Sequence, residues 1–443
     1  MKRSRGPKAP PPSAPPRPPQ PPPRYDVIVG GEGIASPQYG LLACPVGYAQ
    51  HNIALDLNGC DTVSLFGVQG SGKSYTLGAV SEMASMAIDG VNLMPSPAAA
   101  VVFHYHKGES YEPELLAARE PNGRQDEVRA LFHQYGARPK GFDDMLLLVP
   151  ESQVERRRKE YPGIRVEPIK FSSRELRGAG WKILLGAVDN QSLYMRQVAT
   201  IMRQFRDDLT LDILREAVNK CPTHKGRRSK KRDDDEGPEL SEGAASLINE
   251  RIAIAEPYVD DSKSIGDYLC PGRVIVVDLR DCWTEKSEAL ELFLILMSIF
   301  SDVKSKEFKR LFVLDEAHKY LGGDEGALIG EVAELVREMR HRATTVVIAS
   351  QDPVSIPRII VELTTVMVLH KMTAPRWIMH LKSAVTSLDE LSARALASLR
   401  PGEAWLWAKH ASDPAYSRSP QKVVIRPRVT SHGGETRVAV KRG

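Results

Sequence analysis

A doubly wound α/β fold, with a mostly parallel sheet covered by helices on both faces, is what this sequence predicts, on three observations. Short apolar runs rich in β-branched residues recur along the chain, separated by stretches with helical spacing. Those runs are near-continuous rather than alternating, as strands buried on both faces require. One run, Thr62 to Phe66 (TVSLF), is followed directly by Gly67-Val68-Gln69-Gly70-Ser71-Gly72-Lys73-Ser74 and then by the helical spacing of Tyr75 to Met86. Strand, glycine-rich loop and helix in that order form a phosphate cradle, because unpaired N–H groups at a helix start attract anions.

Each fixed position of the loop has a physical reason. Gly67, Gly70 and Gly72 let the backbone approach phosphates that a Cβ would hold off. Gln69, Ser71 and Tyr75 complete the stretch expected to line the bound nucleotide. Lys73 is placed to bridge β- and γ-phosphate oxygens, and the Ser74 hydroxyl to ligate Mg²⁺. The expected ligand is ATP with Mg²⁺.

Further strands are expected at Ala98 to Tyr105, Val274 to Asp278, Leu311 to Leu314, Thr344 to Ala349 and Val366 to His370, with a few small strands between Tyr25 and Cys60. From Pro113 to Lys220 the pattern is mostly helical, with amphipathic spacing over Leu193–Arg206 and Leu209–Val218. The expected organisation is therefore a Pro-rich arm at 1–24, the P-loop half of the core at 25–111 and a helical insertion at 112–265. A second core half at 266–410 and an extension at 411–443 follow. Residues 225–243 set a basic block beside an acidic one and read as a solvated loop.

Composition narrows the function classes. Residues 1–24 hold six Lys/Arg, no acid and eleven prolines, and so read as an extended polyproline-like arm. The remainder carries 54 basic against 56 acidic side chains, so bulk charge argues for no nucleic-acid partner and any such contact rests on local placement. The five cysteines form no metal-binding spacing and read as buried thiols of a reducing cytoplasm. The most apolar run, Ala289 to Phe300, is shorter than the ~20 residues of a membrane span.

The second half of the site lies 242 residues beyond Lys73. Leu311-Phe312-Val313-Leu314 ends in Asp315-Glu316, the Walker B pattern: Asp315 for Mg²⁺, Glu316 to activate the attacking water. Although Asp315 to His318 spells DEAH, the later motifs of a two-lobed helicase are missing, as are the signature of an ABC ATPase and the base-reading motif of a GTPase. The following helix, with Leu328, Val332, Leu335 and Met339 on one face, ends in an arginine cluster; the next strand ends in Ser350-Gln351, where Gln351 is placed to sense the γ-phosphate or the water.

The ordered set of P-loop, VIVVDLR, buried helix, FVLDEAH and VREMRHRATTVVIASQDP resembles the HerA branch of the HerA–FtsK ATPases over most of residues 40–410. The resemblance implies a RecA-like core, a homo-hexameric ring and double-stranded DNA in its pore. It also implies a separate nuclease or effector partner in genome maintenance or antiviral defence. Arg340 matches the arginine that acts across the subunit interface. Arg280–Ser287 and Lys319–Glu325 are the candidate pore loops. The chain departs from the family in having His104 where an acid usually ends the second strand, only a short region before the P-loop, and no glycines between Glu338 and the sensor strand. Two other readings share the fold: a protein-transport ATPase of conjugative or type IV secretion, and a nucleotide-regulated scaffold.

Overall fold

The computed structural model describes residues 21–186, 193–221, 223–224, 240–303, 308–322 and 326–433. Most of the Pro-rich arm and of the charged 225–243 loop lies outside them, as do 323–325 of the second candidate pore loop and the Arg340 side chain.

Eight parallel strands form the core, labelled here in chain order: β1 Thr62–Phe66, β2 Ala99–His106, β3 Met145–Val149, β4 Arg165–Pro168, β5 Val274–Arg280, β6 Arg310–Leu314, β7 Thr344–Ser350 and β8 Val366–Leu369. Their order across the sheet is β8-β1-β7-β6-β2-β5-β3-β4. The strand carrying the P-loop is thus separated from the Walker B strand β6 by β7. An antiparallel wing continues beyond β8 through Glu403–Ala408, Gln421–Ile425, Tyr39–Pro45 and Ile53–Asp56, and Val27–Val29 closes the edge parallel to its neighbour. No separate barrel precedes the core among the described residues; the early strands belong to this wing.

Because side chains alternate across a strand, the sheet sorts its residues into two apolar layers. Val63, Leu65, Val102, Val276, Val313 and Val347 lie in the apolar layer on the side of α1, the helix Lys73–Ser85, together with its Leu77, Val80 and Met83. Phe103, Val277, Phe312, Leu314 and Ile348 face the other way, onto α2 (Lys286–Asp302) and α3 (Gly326–Met339). Helices on both faces make the sheet doubly wound, as expected. The apolar run Ala289 to Phe300 is the buried face of α2, and no helix among the described residues is long and apolar enough to cross a membrane.

Two segments differ from their expected character. Within 112–265 the helices Gly178–Leu184, Leu193–Phe205, Leu211–Lys220 and Glu242–Ala255 are present, but β3 and β4 lie there too and extend the core sheet. The run MLLLV of β3 is leucine-rich, so neither β-branching nor period marks it; pairing with β5 decides its state. The 411–443 segment contributes Gln421–Ile425 to the middle of the wing, and the chain after it is buried against α1. Of the cysteines only Cys44 is buried, and Cys282 is exposed.

Candidate nucleotide-binding site

The register brings the strand tips level. Phe66 of β1 pairs with Ser350 of β7 and with Leu369 of β8, and Leu314 of β6 pairs with Ile348. The loops leaving β1, β6 and β7 therefore meet at one edge of the sheet, where a doubly wound fold places its ligand.

The P-loop turns through Gly70 and Gly72, whose φ angles of 73° and 105° lie in the left-handed region. At Gly67 the constraint is space: a Cβ would come within 2.5 Å of Ser71 Oγ and 2.6 Å of His370 Cβ. α1 starts at Lys73 without a side-chain cap, so its first N–H groups point at the loop unfilled. Ser71 Oγ is likewise buried with no hydrogen-bond partner. These orphan groups are what phosphate oxygens would satisfy. The loop opens into a cleft of about 790 Å³ that also takes in Gln69, Ser74, Tyr75, Glu114, Glu316 and Gln351.

Lys73, Glu316 and Gln351, predicted from separate motifs, converge. Glu316 Oε1 accepts from Lys73 Nζ at 3.0 Å and from Gln351 Nε2 at 2.8 Å. Although burial opposes the charge on Lys73, Glu316 and Asp315 beside it hold its pKa above the ordinary value. The other oxygen of Glu316, Oε2, is buried without a hydrogen-bond donor, 3.3 Å from His318 Nδ1. His318 is pushed below the usual imidazole range by burial.

Asp315 is buried beside His104, with Oδ2 3.2 Å from Nδ1, while His104 Nε2 lies 3.1 Å from the Tyr111 carbonyl oxygen. Burial alone would raise the Asp315 pKa; the His104 hydrogen bond and the Lys73 charge bring it below the ordinary value. His104, one of the departures from the resembled pattern, thus contacts Asp315 directly.

Glu114, at the start of the short helix Glu114–Arg119, was not singled out from the sequence. It hydrogen-bonds Ser74 and lies near Asp315 and Lys73; burial, then Asp315, raises its pKa, and its Oε2 is buried without a partner. Only a run of acids at 109–114 surrounds it in sequence, and nothing there separates it from Glu109 or Glu112. The Ser74 hydroxyl with the Asp315 and Glu114 carboxylates is an all-oxygen donor set, which fits Mg²⁺.

The remaining predicted residues fall elsewhere. Arg340 begins the 3₁₀ turn Arg340–Arg342, just before β7 starts and so at the opposite edge of the sheet from the P-loop. Of the candidate pore loops, Arg280 is fully buried and paired with Asp278, which removes it from any solvent-facing role, whereas Trp283 beyond it is 85% exposed. Lys319 turns back toward the site, with Nζ 3.9 Å from the centre of the Tyr111 ring, and burial lowers its pKa.

No family model and no curated protein matches the chain. Among solved structures it is similar to VirB4 of Thermoanaerobacter pseudethanolicus, at 12% identity and TM-score 0.46, covering 90% of this chain and 98% of that one. It is similar to the plasmid coupling protein TrwB in complex with ADP and Mg²⁺, at 11% identity and TM-score 0.46, covering 91% and 97%. It is also similar to the genome packaging NTPase B204 from Sulfolobus turreted icosahedral virus 2 bound to AMP, at 13% identity and TM-score 0.27, covering 36% and 71%. The strand order and the residues at the strand tips are those of a P-loop ATPase fold, and the site fits ATP with Mg²⁺.

Proposed function

We propose that this chain is an ATP hydrolase of the HerA type that works as a ring and moves double-stranded DNA. The observation that carries the reading is the convergence of Lys73, Gln351 and Glu316, with Ser74, Asp315 and Glu114 beside them. Lys73 and the P-loop amides hold the phosphates. Ser74 and Asp315, with Glu114, would hold Mg²⁺, which would neutralise charge on the phosphates. Gln351 orients the attacking water and Glu316 accepts its proton as the oxygen bonds to the γ-phosphorus and the bond to ADP breaks. Arg340 of a neighbouring subunit stabilises the charge that develops.

The exposed loop around Trp283, at the same sheet edge as the cleft, supports contact with a track lying across that edge. Trp283 offers a face, and Lys107, ion-paired at 3.3 Å with Glu285 of the same loop, is a cation that a phosphate would compete for without reading sequence. A separate nuclease or effector subunit would act on the DNA delivered.

The test is steady-state ATP hydrolysis with duplexes of unrelated sequence, with Lys73→Ala as the inactive control. Stimulation by every duplex, falling steeply with added salt, is the expected result. Unchanged turnover with any duplex at low salt would move the assignment to protein transport or to a nucleotide-regulated scaffold.

A further inference from the structure

The hydrolysis chemistry uses only part of the cleft's lining. Tyr75, Pro401, Gly402, Ile425, Pro427 and His432 line it too, so residues almost at the end of the described chain share the cleft with the first turn of α1. What brings them there is a buried ionic anchor. Glu82 of α1 accepts from Arg426 Nη1 at 2.6 Å, from the backbone N–H groups of Val429 and Thr430, and from Thr430 Oγ1. Arg428 lies flat on the helix over Gly78, where a Cβ would stand 2.1 Å from its Cζ. The segment 425–432 is therefore a strap wired along α1.

The strap fixes two rings in a corner. Tyr75 donates its hydroxyl hydrogen to Glu127 Oε2 at 2.7 Å and accepts from the Arg428 N–H at 2.8 Å, which holds the ring in one orientation. The His432 ring stands 5.4 Å away at 76° to it, with Nδ1 3.4 Å from Arg428 Nη1. The two rings thus meet edge to face and form one corner, and Ile425 and Pro427 line the cleft beside it. With two rings and two apolar side chains beside a phosphate cradle, and Arg124 and Glu127 at its polar margin, this corner has the chemistry that a planar aromatic base with polar edges fills.

We propose that the 425–432 strap builds the nucleobase subsite, with the base of the bound nucleotide packed against the corner that Tyr75 and His432 form. The assignment rests on the nucleotide-binding reading above and adds to it a specific surface, held in place by the Glu82–Arg426–Arg428 anchor. Burial, reinforced by the nearby arginines, lowers the His432 pKa to about 4, so the ring is uncharged near neutral pH and offers packing rather than charge to the base. Because both rings are pre-set by hydrogen bonds to the strap, little side-chain freedom is lost when a base enters.

The test compares two probes on the full chain by titration calorimetry: the magnesium complex of a non-hydrolysable ATP analogue, and magnesium tripolyphosphate, which lacks sugar and base. His432→Ala is expected to weaken the analogue roughly tenfold, the effect of losing one aromatic partner of a base. Tripolyphosphate affinity stays unchanged, and His432→Phe regains the analogue affinity by restoring a ring. An unchanged analogue affinity in His432→Ala overturns the subsite. So does an equal loss for both probes, which would make the residue a support for the phosphate cradle. Failure of both probes to bind the wild-type chain would instead overturn the nucleotide reading itself.

Discussion

Glu316 has a φ of 48°, a conformation few residues other than glycine adopt. The turn after β6 carries that strain, of order 1–3 kcal/mol, because it aims the carboxylate at Lys73 and Gln351. Phosphates entering the cleft must compete with Glu316 for the Lys73 ammonium. Glu316→Gln removes a negative charge beside them, so it should bind ATP at least as tightly as the wild type while turnover falls by roughly 10²–10⁴, the worth of a general base. Lys73→Ala should lose ATP affinity instead. Binding titrations beside single-turnover hydrolysis separate the two, and equal loss of binding in both variants would remove Glu316 from its water-activating role. Glu114 makes a second residue-level test. If its carboxylate helps hold Mg²⁺, Glu114→Gln should need several-fold more Mg²⁺ for half-maximal turnover, with ATP affinity in EDTA unchanged. An identical Mg²⁺ titration would leave Glu114 as a hydrogen-bond partner of Ser74 alone.

Among elements, the strap after Gln421–Ile425 is the one whose role in the fold was least visible beforehand. Arg426 and Arg428 look in sequence like surface charges on a terminal extension, because their partner Glu82 is more than 340 residues away. In the fold all three are buried, and Arg426 also donates to the Leu41 and Ala79 carbonyl oxygens. Breaking such a cluster on one side leaves buried charge unpaired, so Glu82→Ala should lower stability by about 3–5 kcal/mol. Chemical denaturation checks this, and a loss within ~0.5 kcal/mol would show that the strap folds onto α1 without the carboxylate. The same contrast runs through the rest of the chain. Strands β1, β5, β6 and β7 were legible because β-branched runs buried on both faces have few other fates, and the P-loop and Asp315-Glu316 because spacing and residue type are dictated by phosphate and Mg²⁺. β3 was not, because MLLLV suits a helix as well until β5 pairs with it. Glu114 and His432 were not, because their place in the site comes from long-range packing and from no local pattern.

For the whole molecule, the place of Arg340 along the chain bears on the proposal that a neighbouring subunit completes each active site. β7 runs from Thr344 to Ser350, with Gln351 at its far tip beside Glu316 and Arg340 in the turn before its start. Seven residues of strand put roughly 20 Å between those ends, beyond the reach of one side chain. Within the same turn Arg342 already has a structural use, pairing with Asp302 and Glu338. Any part that Arg340 plays in hydrolysis is therefore played in a neighbour's site, where an arginine delivered to the γ-phosphate contributes on the order of 10³-fold or more to turnover. A helix-end charge would contribute only ~0.3–1 kcal/mol of stability. Arg340→Ala should keep its melting temperature and ATP affinity while losing hydrolysis. Mixing it with Lys73→Ala, itself inactive, should restore part of the activity, because some interfaces then join an intact P-loop to an intact arginine. Full activity of Arg340→Ala alone, or no recovery in assemblies shown by mass to contain both variants, would return Arg340 to a structural place at the end of α3 and leave each subunit to hydrolyse with its own residues.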